Sequence, residues 1–515
     1  MQGTRLEIML NDVMDKVFER MSHEEAPFIA TNYLDKIVIH MLFNMCFGRK
    51  CNLDDPEVDT ILQNDKEIVD LFANGFFEDI IPFMDKIYTT QRWKKMNVLL
   101  NENISIITKE FQEHKKTFDS IGRFSQNFKD IAFAPYSAAW KCQKRVAGKA
   151  LRYYMQGTRL ETMLNDVMDK VFERMAQEKG PFVVNNYMDK IVIHMLFNMC
   201  FGRKCNLDDP DVIKLMEEDK EILELFATGF FEDIIPYMDK IYTTKRWDKM
   251  NKIVDDTIVF LQKDFRNHKR TFDAGNIRDL TDSILLAHQE ARDEEKSEDL
   301  EFFTEDHMVQ IISNIFFAGL DTSRMTLDWF ISCMVAHPEC QRKCQEEIDN
   351  TLGIGRRPST TDRPNFSFTE ACIMETMRVG SVVGTGLPHE TVCDTTVGGY
   401  DIPKGTTVFI NHWALHNDKK FWKNVDKFDP YRYLDKDGKL NNKPENWLPF
   451  SAGRRICLGE TVARAEFVLI ASNLLQNFTF KAPPGVQHKL DFRSIFAGSE
   501  IPAEYKVVIE KRNNC

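Results

Sequence analysis

Cys457 is the residue on which most of the chemistry suggested by this sequence depends. It lies in the run Phe450–Gly459, which reads FSAGRRICLG, and an apolar helical pattern follows from Glu460. A thiolate at the start of a helix is stabilised by backbone N–H groups and by the helix dipole. Such a thiolate suits a metal better than a disulfide. An isolated cysteine in a glycine-rich turn is more often a buried structural thiol, so other motifs must decide.

Glu375 and Arg378 form a second candidate constellation. They lie three residues apart in a predicted helix over 368–379, so they share one face. Arg432 follows in the run FDPYR, which predicts a compact loop. The alternative for the Glu375/Arg378 pair is a surface ion pair, which would contribute less than about 1 kcal/mol.

A long predicted helix, from Glu305 to about His337, carries a third constellation at its centre. Gly319 precedes Asp321 and Thr322 in the run FFAGLDTS. A glycine in a helix interior costs about 1 kcal/mol relative to alanine. It therefore suggests that the helix is locally opened to let something approach. A glycine needed only for close helix packing is the alternative.

Trp140, Lys144 and Arg145 form the fourth constellation, on a helix predicted from Trp140 onward. They combine an indole N–H donor with two cations within about one turn. Such a set could bind a pair of carboxylates. An exposed basic helix face is an equally good interpretation of these three residues alone.

Composition places the protein among large globular chains. The 515 residues are 43% hydrophobic and 28% charged, with a net charge of −12 and no long basic run, which disfavours nucleic-acid binding. The 39 phenylalanines suggest a large apolar interior or a greasy cavity. Twelve scattered cysteines without zinc spacing predict reduced thiols. There is neither a signal-peptide pattern nor a run of about 18 apolar residues, so we expect no transmembrane span.

A long repeat dominates the N-terminal half. Residues 1–119 are a near-copy of residues 155–273, and the run 35–56 recurs without change as 189–210. This repeat is far longer than a solenoid unit of about 20–50 residues. Because 155–273 is continuous with both flanks, we expect it to belong to the fold and 1–119 to be surplus.

Hydrophobic periodicity predicts a mainly helical chain with a small β region. The predicted helices are 159–175, 186–201, 208–226, 248–272, 279–290, 305–337, 338–353, 368–379 and 413–416. Short β-type runs are predicted at 390–393, 395–400 and 406–411, with terminal hairpins over 479–515. The aromatic-rich connection 229–238 predicts core packing, or alternatively a lid or a membrane contact.

Taken together, these motifs resemble the cytochrome P-450 haem-thiolate monooxygenases over about residues 120–515. The Cys457 loop matches the haem-binding loop of that family, and Glu375-x-x-Arg378 matches its ExxR helix. The 318–322 run matches its oxygen-binding groove. The resemblance implies a mainly α fold with small β-sheets, here N-terminally truncated and carrying a duplicated helical segment.

The resemblance also implies a role for each candidate residue. Cys457 would be the axial ligand of the iron of haem b, and Asp321 and Thr322 would relay protons as acid catalysts. Glu375, Arg378 and Arg432 would form a structural triad. The residues that would bind the cofactor are Trp140, Lys144, Arg145, Gly319, His389, Phe450, Gly453, Arg455 and Gly459. The family usually has an arginine at the position of Lys144.

Partners and location follow from the same resemblance. The family implies an NADPH–cytochrome reductase-type flavoprotein, a cytochrome b-type haem protein, a lipophilic substrate and the cytosolic face of the endoplasmic reticulum membrane. Lys144, Arg145, Lys149, Arg152, Lys423 and Arg454 would form the docking face for the reductase. Three runs, 129–134, 232–238 and 411–416, resemble the animal microsomal type, in particular its steroid 17α-hydroxylase/17,20-lyase-like members.

The sequence also departs from the family pattern. A membrane anchor, a first helix and a first β-sheet usually precede the segment that starts here at residue 120, and 1–119 does not supply them. Without an anchor, a cytoplasmic location is the alternative. Two further functions stay open: an inactive fusion of two gene fragments, and a haem-thiolate isomerase or dehydratase. Such isomerases commonly lack the threonine found here as Thr322, which favours a monooxygenase.

Overall fold

The computed structural model describes residues 56–73, 125–227, 243–293 and 303–512, apart from 354, 442 and 495–499. Most of the first repeat copy and the aromatic-rich connection 229–238 lie outside these ranges. The chain divides into two compact units, Met1–Phe124 with Gly229–Asn251, and Ser125–Thr228 with Lys252–Cys515. In the first 124 residues, the described element is helix α1, Pro56–Ala73.

Helices make up most of the remaining described chain. They are α2 (Ala138–Tyr154), α3 (Arg159–Met175), α4 (Asn185–Phe201), α5 (Pro210–Ala227), α6 (Lys245–Thr271), α7 (Leu280–Asp293), α8 (Glu305–Ala336), α9 (Pro338–Leu352), α10 (Ser367–Gly380), α11 (His412–His416) and α12 (Glu460–Asn477). Short 3₁₀ turns occupy Thr360–Asn365, Pro430–Tyr433 and Gly453–Arg455.

Helix α8 is the centre of the larger unit. It packs against α4, α10 and α12, and most of its side chains are buried. Helix α4 is apolar on nearly all sides, and such a helix is stable only inside a core. Helix α3 covers α4 with an apolar face that repeats at helical spacing, from Leu160 to Met175. The second repeat copy therefore supplies two of the core helices.

The described ranges also contain four small antiparallel sheets, each of two strands. Strand β1 (His389–Glu390) pairs with β4 (Thr407–Val408), and β2 (Thr395–Val397) pairs with β3 (Tyr400–Ile402). The last two pairs are β5 (Phe478–Lys481) with β8 (Val508–Lys511), and β6 (Phe492–Ser494) with β7 (Glu500–Pro502). These pairs and the dominant helices confirm the predicted mainly α fold with small β-sheets.

The predicted and observed elements differ mainly at their ends. Helix α3 has the predicted bounds, and α8 ends one residue before His337. The run 395–400, predicted as one β-type stretch, is instead divided between two paired strands. Gly398 and Gly399 both have positive φ, at 61° and 89°. A tight hairpin turn needs that conformation at both central residues.

Candidate functional site

The loop before α12 holds the Cys457 thiol in a defined position. Gly453 starts a 3₁₀ turn at φ 71°, where a side chain would be strained. The Cys457 N–H then donates to the Phe450 carbonyl oxygen at 2.9 Å. The Cys457 sulfur accepts from the backbone N–H groups of Gly459 and Glu460, which lower its pKa. Burial has the larger effect and raises the pKa of this thiol. The Cys457 residue as a whole nevertheless keeps exposed surface.

Arg455 and Trp140 form the densest part of the site. The Arg455 guanidinium lies 4.1 Å from the Trp140 ring centroid and donates to the Ala134 carbonyl oxygen at 2.7 Å. The Trp140 indole N–H donates to the Ile131 carbonyl oxygen at 3.0 Å. Burial lowers the pKa of Arg455. The indole N–H, one of the groups expected to bind a carboxylate, is therefore used to hold the 131–134 turn against Arg455.

Lys144 and His389 bring further nitrogen groups toward Arg455. The Lys144 ammonium lies 5.1 Å from the Trp140 ring centroid and donates to the Arg454 carbonyl oxygen. Burial and the nearby Arg455 charge lower the pKa of Lys144, while the Cys457 thiolate form raises it. Burial and Arg455 also lower the pKa of His389. Positive charge is thus concentrated close to the cysteine.

Arg145 lines the same surface groove as Lys144 and Trp140, whereas Arg455 does not line it. Arg145 is exposed, its guanidinium is 3.8 Å from the Cys142 sulfur, and it shares the groove with Arg152 and Arg454. Lys149 forms an ion pair with Glu290. The structure therefore groups Arg145 with the surface cations rather than with Arg455.

The predicted triad of Glu375, Arg378 and Arg432 comes together behind the cysteine loop. The Arg378 guanidinium donates twice to the Glu375 carboxylate at 2.9 Å, and both side chains are almost fully buried. The Arg432 Nε lies 3.4 Å from the same carboxylate. Arg378 also donates to the Val425 carbonyl oxygen at 2.9 Å. The Glu375–Arg378 pair is thus a buried anchor for the segment before the loop, and the surface-pair alternative is wrong.

The middle turns of helix α8 keep accessible surface, and one stripe of this surface carries polar and small side chains. Asn314, Ala318, Asp321 and Thr322 recur at helical spacing, and each keeps accessible surface. The Thr322 hydroxyl donates to the Ala318 carbonyl oxygen at 2.7 Å. The helix is continuous through Gly319, so the expected local opening of the backbone is not observed.

Gly319 has a packing reason instead. A Cβ at this position would lie 3.1 Å from Cδ2 of Leu196 on α4, closer than ordinary contacts allow. The glycine therefore lets α4 and α8 approach closely, as the packing alternative stated.

Sequence reasoning missed the charged groups that surround Asp321. Arg324 donates to Asp321 at 2.7 Å and lies 3.6 Å from Asp189 and 3.9 Å from Asp219. Burial and the neighbouring Asp321 raise the pKa of Asp219 well above its usual range. Burial raises the pKa of both carboxyl groups, and the contact between them raises the pKa of Asp219 and lowers that of Asp321. These residues come from three helices, so no spacing in the sequence could have connected them.

One other cluster has the composition of a metal site. His268, Asp279 and Asp282 bring ligand atoms within 4.8 Å of one another. Arg278, however, already binds both oxygens of Asp282, with N–O distances of 2.7 and 2.9 Å. His268 binds Asp279 at 2.8 Å. The cluster is therefore a satisfied ion-pair network that joins α6 to α7.

The Cys457 site fits a haem group on three observations. The thiol keeps accessible surface although the protein surrounds it, and two backbone N–H groups point at its sulfur. Lys144 and Arg455 lie beside it, and their hydrogen bonds in the described part of the chain go to backbone carbonyl oxygens, which leaves positive charge for the anionic propionates of haem. The accessible stripe of α8 offers a small side chain, Ala318, beside an acid and a hydroxyl.

Comparison with known proteins identifies the class to which this fold and site belong. The family model described as cytochrome P450 matches residues 2–127 and 121–507. The chain therefore belongs to the cytochrome P450 family. Members of this family generally hold a haem-thiolate iron, receive electrons from a reductase and oxidise lipophilic substrates, and the expected monooxygenase class is confirmed at that level.

Individual relatives show which members of the family this chain is similar to. A steroid 17-alpha-hydroxylase/17,20 lyase of Squalus acanthias is 36% identical over 369 residues, which cover 70% of this chain and 71% of that protein. Cytochrome P450 2U1 of Mus musculus is 34% identical over 388 residues, 75% of this chain and 72% of that protein. The expected similarity to steroid 17α-hydroxylases and other microsomal members is confirmed.

Solved structures agree with the sequence comparison. A zebra fish cytochrome P450 determined with progesterone has a TM-score of 0.68 and 30% identity, covering 76% of this chain and 86% of that one. A second structure, with abiraterone, has a TM-score of 0.66 and 28% identity, covering 77% and 87%. Among the described residues, we find no helix long and apolar enough to cross a membrane.

Proposed function

We propose that this protein is a haem b-dependent monooxygenase that inserts one oxygen atom of O2 into a lipophilic, steroid-like substrate. The observation that carries the proposal is the Cys457 thiol beside Arg455 and Lys144, two cations whose hydrogen bonds in the described ranges go to backbone carbonyl oxygens. The haem would supply the activation of dioxygen, and the protein would supply its ligand, its propionate contacts and the path for protons.

Cys457 would hold the haem iron through its thiolate, with Gly453 shaping its turn and Gly459 allowing close approach of the haem. The N–H groups that point at the sulfur would moderate the electron density that it donates. Phe450 would shield the sulfur from water. Arg455, Lys144 and His389 would bind the propionates, while Trp140 would orient Arg455 through the ring contact at 4.1 Å. Glu375, Arg378 and Arg432 would hold the loop from behind.

Asp321 and Thr322 would move protons on the accessible stripe of α8. The Thr322 hydroxyl, which now donates to Ala318, can rotate to present a proton at its Oγ1 atom. Asp321 would restore that proton, and the protonated Asp219 behind it would supply the next one. This is general acid catalysis, in which the groups donate protons and form no covalent bond with the substrate.

Similarity of the whole sequence supports the substrate class. Relatives named steroid 17-alpha-hydroxylase/17,20 lyase and a zebra fish structure with progesterone lie at 30–36% identity. The abundance of phenylalanine is consistent with a lipophilic ligand. Steroids are therefore the first substrates to test, followed by other planar lipophilic molecules.

The basic groove beside the cysteine loop is the proposed docking face for a flavoprotein reductase. Lys141, Lys144, Arg145, Arg152 and Arg454 line it together with Tyr136 and Trp140. A cytochrome b-type haem protein would use the same charge, and the microsomal relatives support the endoplasmic reticulum as location.

In the double variant Arg152→Glu/Arg454→Glu, we expect haem reduction by NADPH–cytochrome reductase to slow at least tenfold at low salt. Lys481→Glu is the control, and an unchanged rate in the double variant would contradict the docking face.

The decisive experiment for the function uses the full chain expressed with haem. After reduction, carbon monoxide should give the strongly red-shifted Soret band that reports a thiolate ligand. Cys457→Ser should abolish this band, while Cys393→Ser, which removes an exposed thiol elsewhere, should leave it unchanged. Folded protein without the band would favour an inactive fusion. A band without product from steroids, NADPH and reductase would favour the isomerase or dehydratase alternative.

A further inference from the structure

His416 is a buried histidine that connects two parts of the structure behind the cysteine loop. It ends α11, and only 1% of its surface is exposed. Its Nδ1 atom lies 2.8 Å from the hydroxyl oxygen of Ser381, which caps the C-terminus of α10. Its Nε2 atom lies 3.1 Å from the Leu448 amide nitrogen. The ring therefore bridges the end of the helix that carries Glu375–Arg378 and the segment that leads to Cys457.

The directions of these hydrogen bonds are fixed by the groups that meet there. The Leu448 N–H can only donate, so Nε2 of His416 accepts and Nδ1 carries the proton. The Nδ1–H group then donates to the Ser381 hydroxyl, which itself donates to the Arg378 carbonyl oxygen at 3.0 Å. The Arg378 guanidinium donates in turn to the His416 carbonyl oxygen at 3.0 Å. Burial, followed by the neighbouring His412 and Arg378, lowers the pKa of His416 to about 3, so the ring stays neutral and keeps its acceptor.

The amide that His416 binds lies at the start of the turn that places the cysteine. The Leu448 carbonyl oxygen accepts from the Ser451 N–H at 3.0 Å, and the Phe450 carbonyl oxygen accepts from the Cys457 N–H at 2.9 Å. Ser451 has a φ of 62°, a left-handed conformation that a residue with a side chain keeps only where its surroundings hold it. The hydrogen bond at Leu448 is thus two residues from the carbonyl group that binds the cysteine backbone.

We propose that His416 is a positioning residue for Cys457: by accepting the Leu448 N–H, its Nε2 atom fixes the turn through which the loop presents the cysteine sulfur. This inference rests on the proposed haem-thiolate function, because it assigns His416 a role toward the ligand of that site. Without the acceptor, the Leu448 N–H would lose its partner, and the turn would relax to bring this group to water. The Cys457 sulfur would then be oriented less well, and a poorly oriented ligand binds its metal less tightly.

Three substitutions at His416 separate the acceptor from the rest of the ring. In His416→Gln, the amide oxygen can reach the position of Nε2 and still accept from Leu448. In His416→Asn, the shorter side chain reaches only the position of Nδ1, so the Leu448 N–H loses its acceptor. His416→Leu fills the site without any acceptor and should behave as His416→Asn does. His194→Asn is the matched control, because His194 is also buried but lies on α4.

Hydrogen exchange of the full chain, followed by mass spectrometry of overlapping peptides, measures the Leu448 and Cys457 amides. In His416→Asn and His416→Leu, we expect both amides to exchange about tenfold faster than in the wild type, relative to the α12 amides that report global unfolding. Both amides should stay within about threefold of the wild-type rate in His416→Gln and in His194→Asn. In protein loaded with haem, His416→Asn should lose much of the red-shifted carbon monoxide band, whereas His416→Gln should keep it.

Three outcomes would overturn the proposal. The first is a Leu448 amide that exchanges at the wild-type rate in both His416→Asn and His416→Leu. The second is faster exchange at Leu448 with an unchanged rate at Cys457, since the contact would then act only locally. The third is a full carbon monoxide band in His416→Asn. Folded wild-type protein without any band would instead contradict the proposed haem function, and the exchange rates would still decide whether His416 holds the cysteine backbone.

Discussion

Glu466 is an acidic residue that the core holds without a hydrogen-bond partner for its Oε1 atom. It lies on α12, is 4% exposed, and burial raises its pKa to about 8. Tyr154 and Cys200 are the titratable groups that it influences, and the pKa of each is itself raised by burial. At neutral pH the folded protein therefore keeps this carboxyl protonated.

The variant Glu466→Gln tests that protonation. A raised folded pKa in an acid means that the native state holds the proton more tightly, so stability falls as pH rises from about 4.5 to 8. Glutamine does not titrate and avoids this loss. The unfolding free energy of Glu466→Gln minus that of the wild type should therefore increase by about 1–4 kcal/mol between pH 5 and pH 8.

Urea unfolding of both proteins at pH 5, 6, 7 and 8 measures this difference. The contributions of the other titrating groups to the unfolding free energy cancel, because they are the same in the two proteins. Glu510→Gln is the matched control, because Glu510 is exposed in the strand pair β5–β8. A difference that stays constant with pH would mean that Glu466 ionises in the folded protein as it does in water.

At the scale of elements, Arg324 joins three helices. It lies on α8 and approaches Asp321 on the same helix, Asp189 on α4 and Asp219 on α5. Asp189 and Asp219 are buried and Asp321 is nearly so, and among the described residues Lys220 contacts Asp189 at 2.6 Å. One guanidinium therefore compensates most of the negative charge between these helices.

Replacing Arg324 by methionine should destabilise the protein strongly. The variant keeps much of the side-chain volume but leaves carboxylates buried without their cation, which typically costs about 3–5 kcal/mol. The loss should increase with pH, since protonation is the remaining way to neutralise those groups. Denaturant unfolding at pH 5.5 and 8 measures both effects. Lys481→Met is the control, because it removes an exposed ion pair, and it should change the unfolding free energy by less than about 1 kcal/mol. An equally small loss of stability in Arg324→Met would contradict the charge argument.

The sequence was informative about elements and about residues that act within one motif. Long periodic segments such as Arg159–Met175 were predicted with the observed bounds, because apolar spacing directly reflects the buried face. The Glu375–Arg378 pair followed from its position on one helix face. Asp219 and Glu466 could not be predicted, since their properties depend on burial and on residues distant in sequence. The local helix opening expected at Gly319 was wrong, because the sequence does not reveal how closely Leu196 approaches.

At the scale of the whole molecule, the main question is which of the two repeat copies belongs to the folded domain. The larger unit contains α3 and α4 of the second copy as core helices, and its buried apolar surface is continuous from α2 to β8. We therefore propose that residues 120–515 form the haem-thiolate domain and that 1–119 is surplus to it.

Deleting residues 1–119 tests this division. The shortened chain should keep the carbon monoxide spectrum, and its thermal midpoint should lie within about 4 °C of the full chain, a shift that corresponds to about 4 kcal/mol in a protein this large. Deleting 155–273 instead should abolish both, because it removes α3 and α4. If removal of 1–119 also abolished the spectrum, the first copy would be an integral part of the domain.

A backbone contact ties the second repeat copy to the C-terminal part of the chain. Phe182, at the entrance to α4, exchanges two backbone hydrogen bonds with Val507, at 3.0 and 2.9 Å. Val507 occurs once in the chain, and this pair uses both its backbone N–H and its carbonyl oxygen. We therefore expect selection to act differently on the two copies. Substitutions that disrupt folding at 155–273 should persist at the corresponding positions of 1–119, which makes the first copy the part of the gene that is free to diverge.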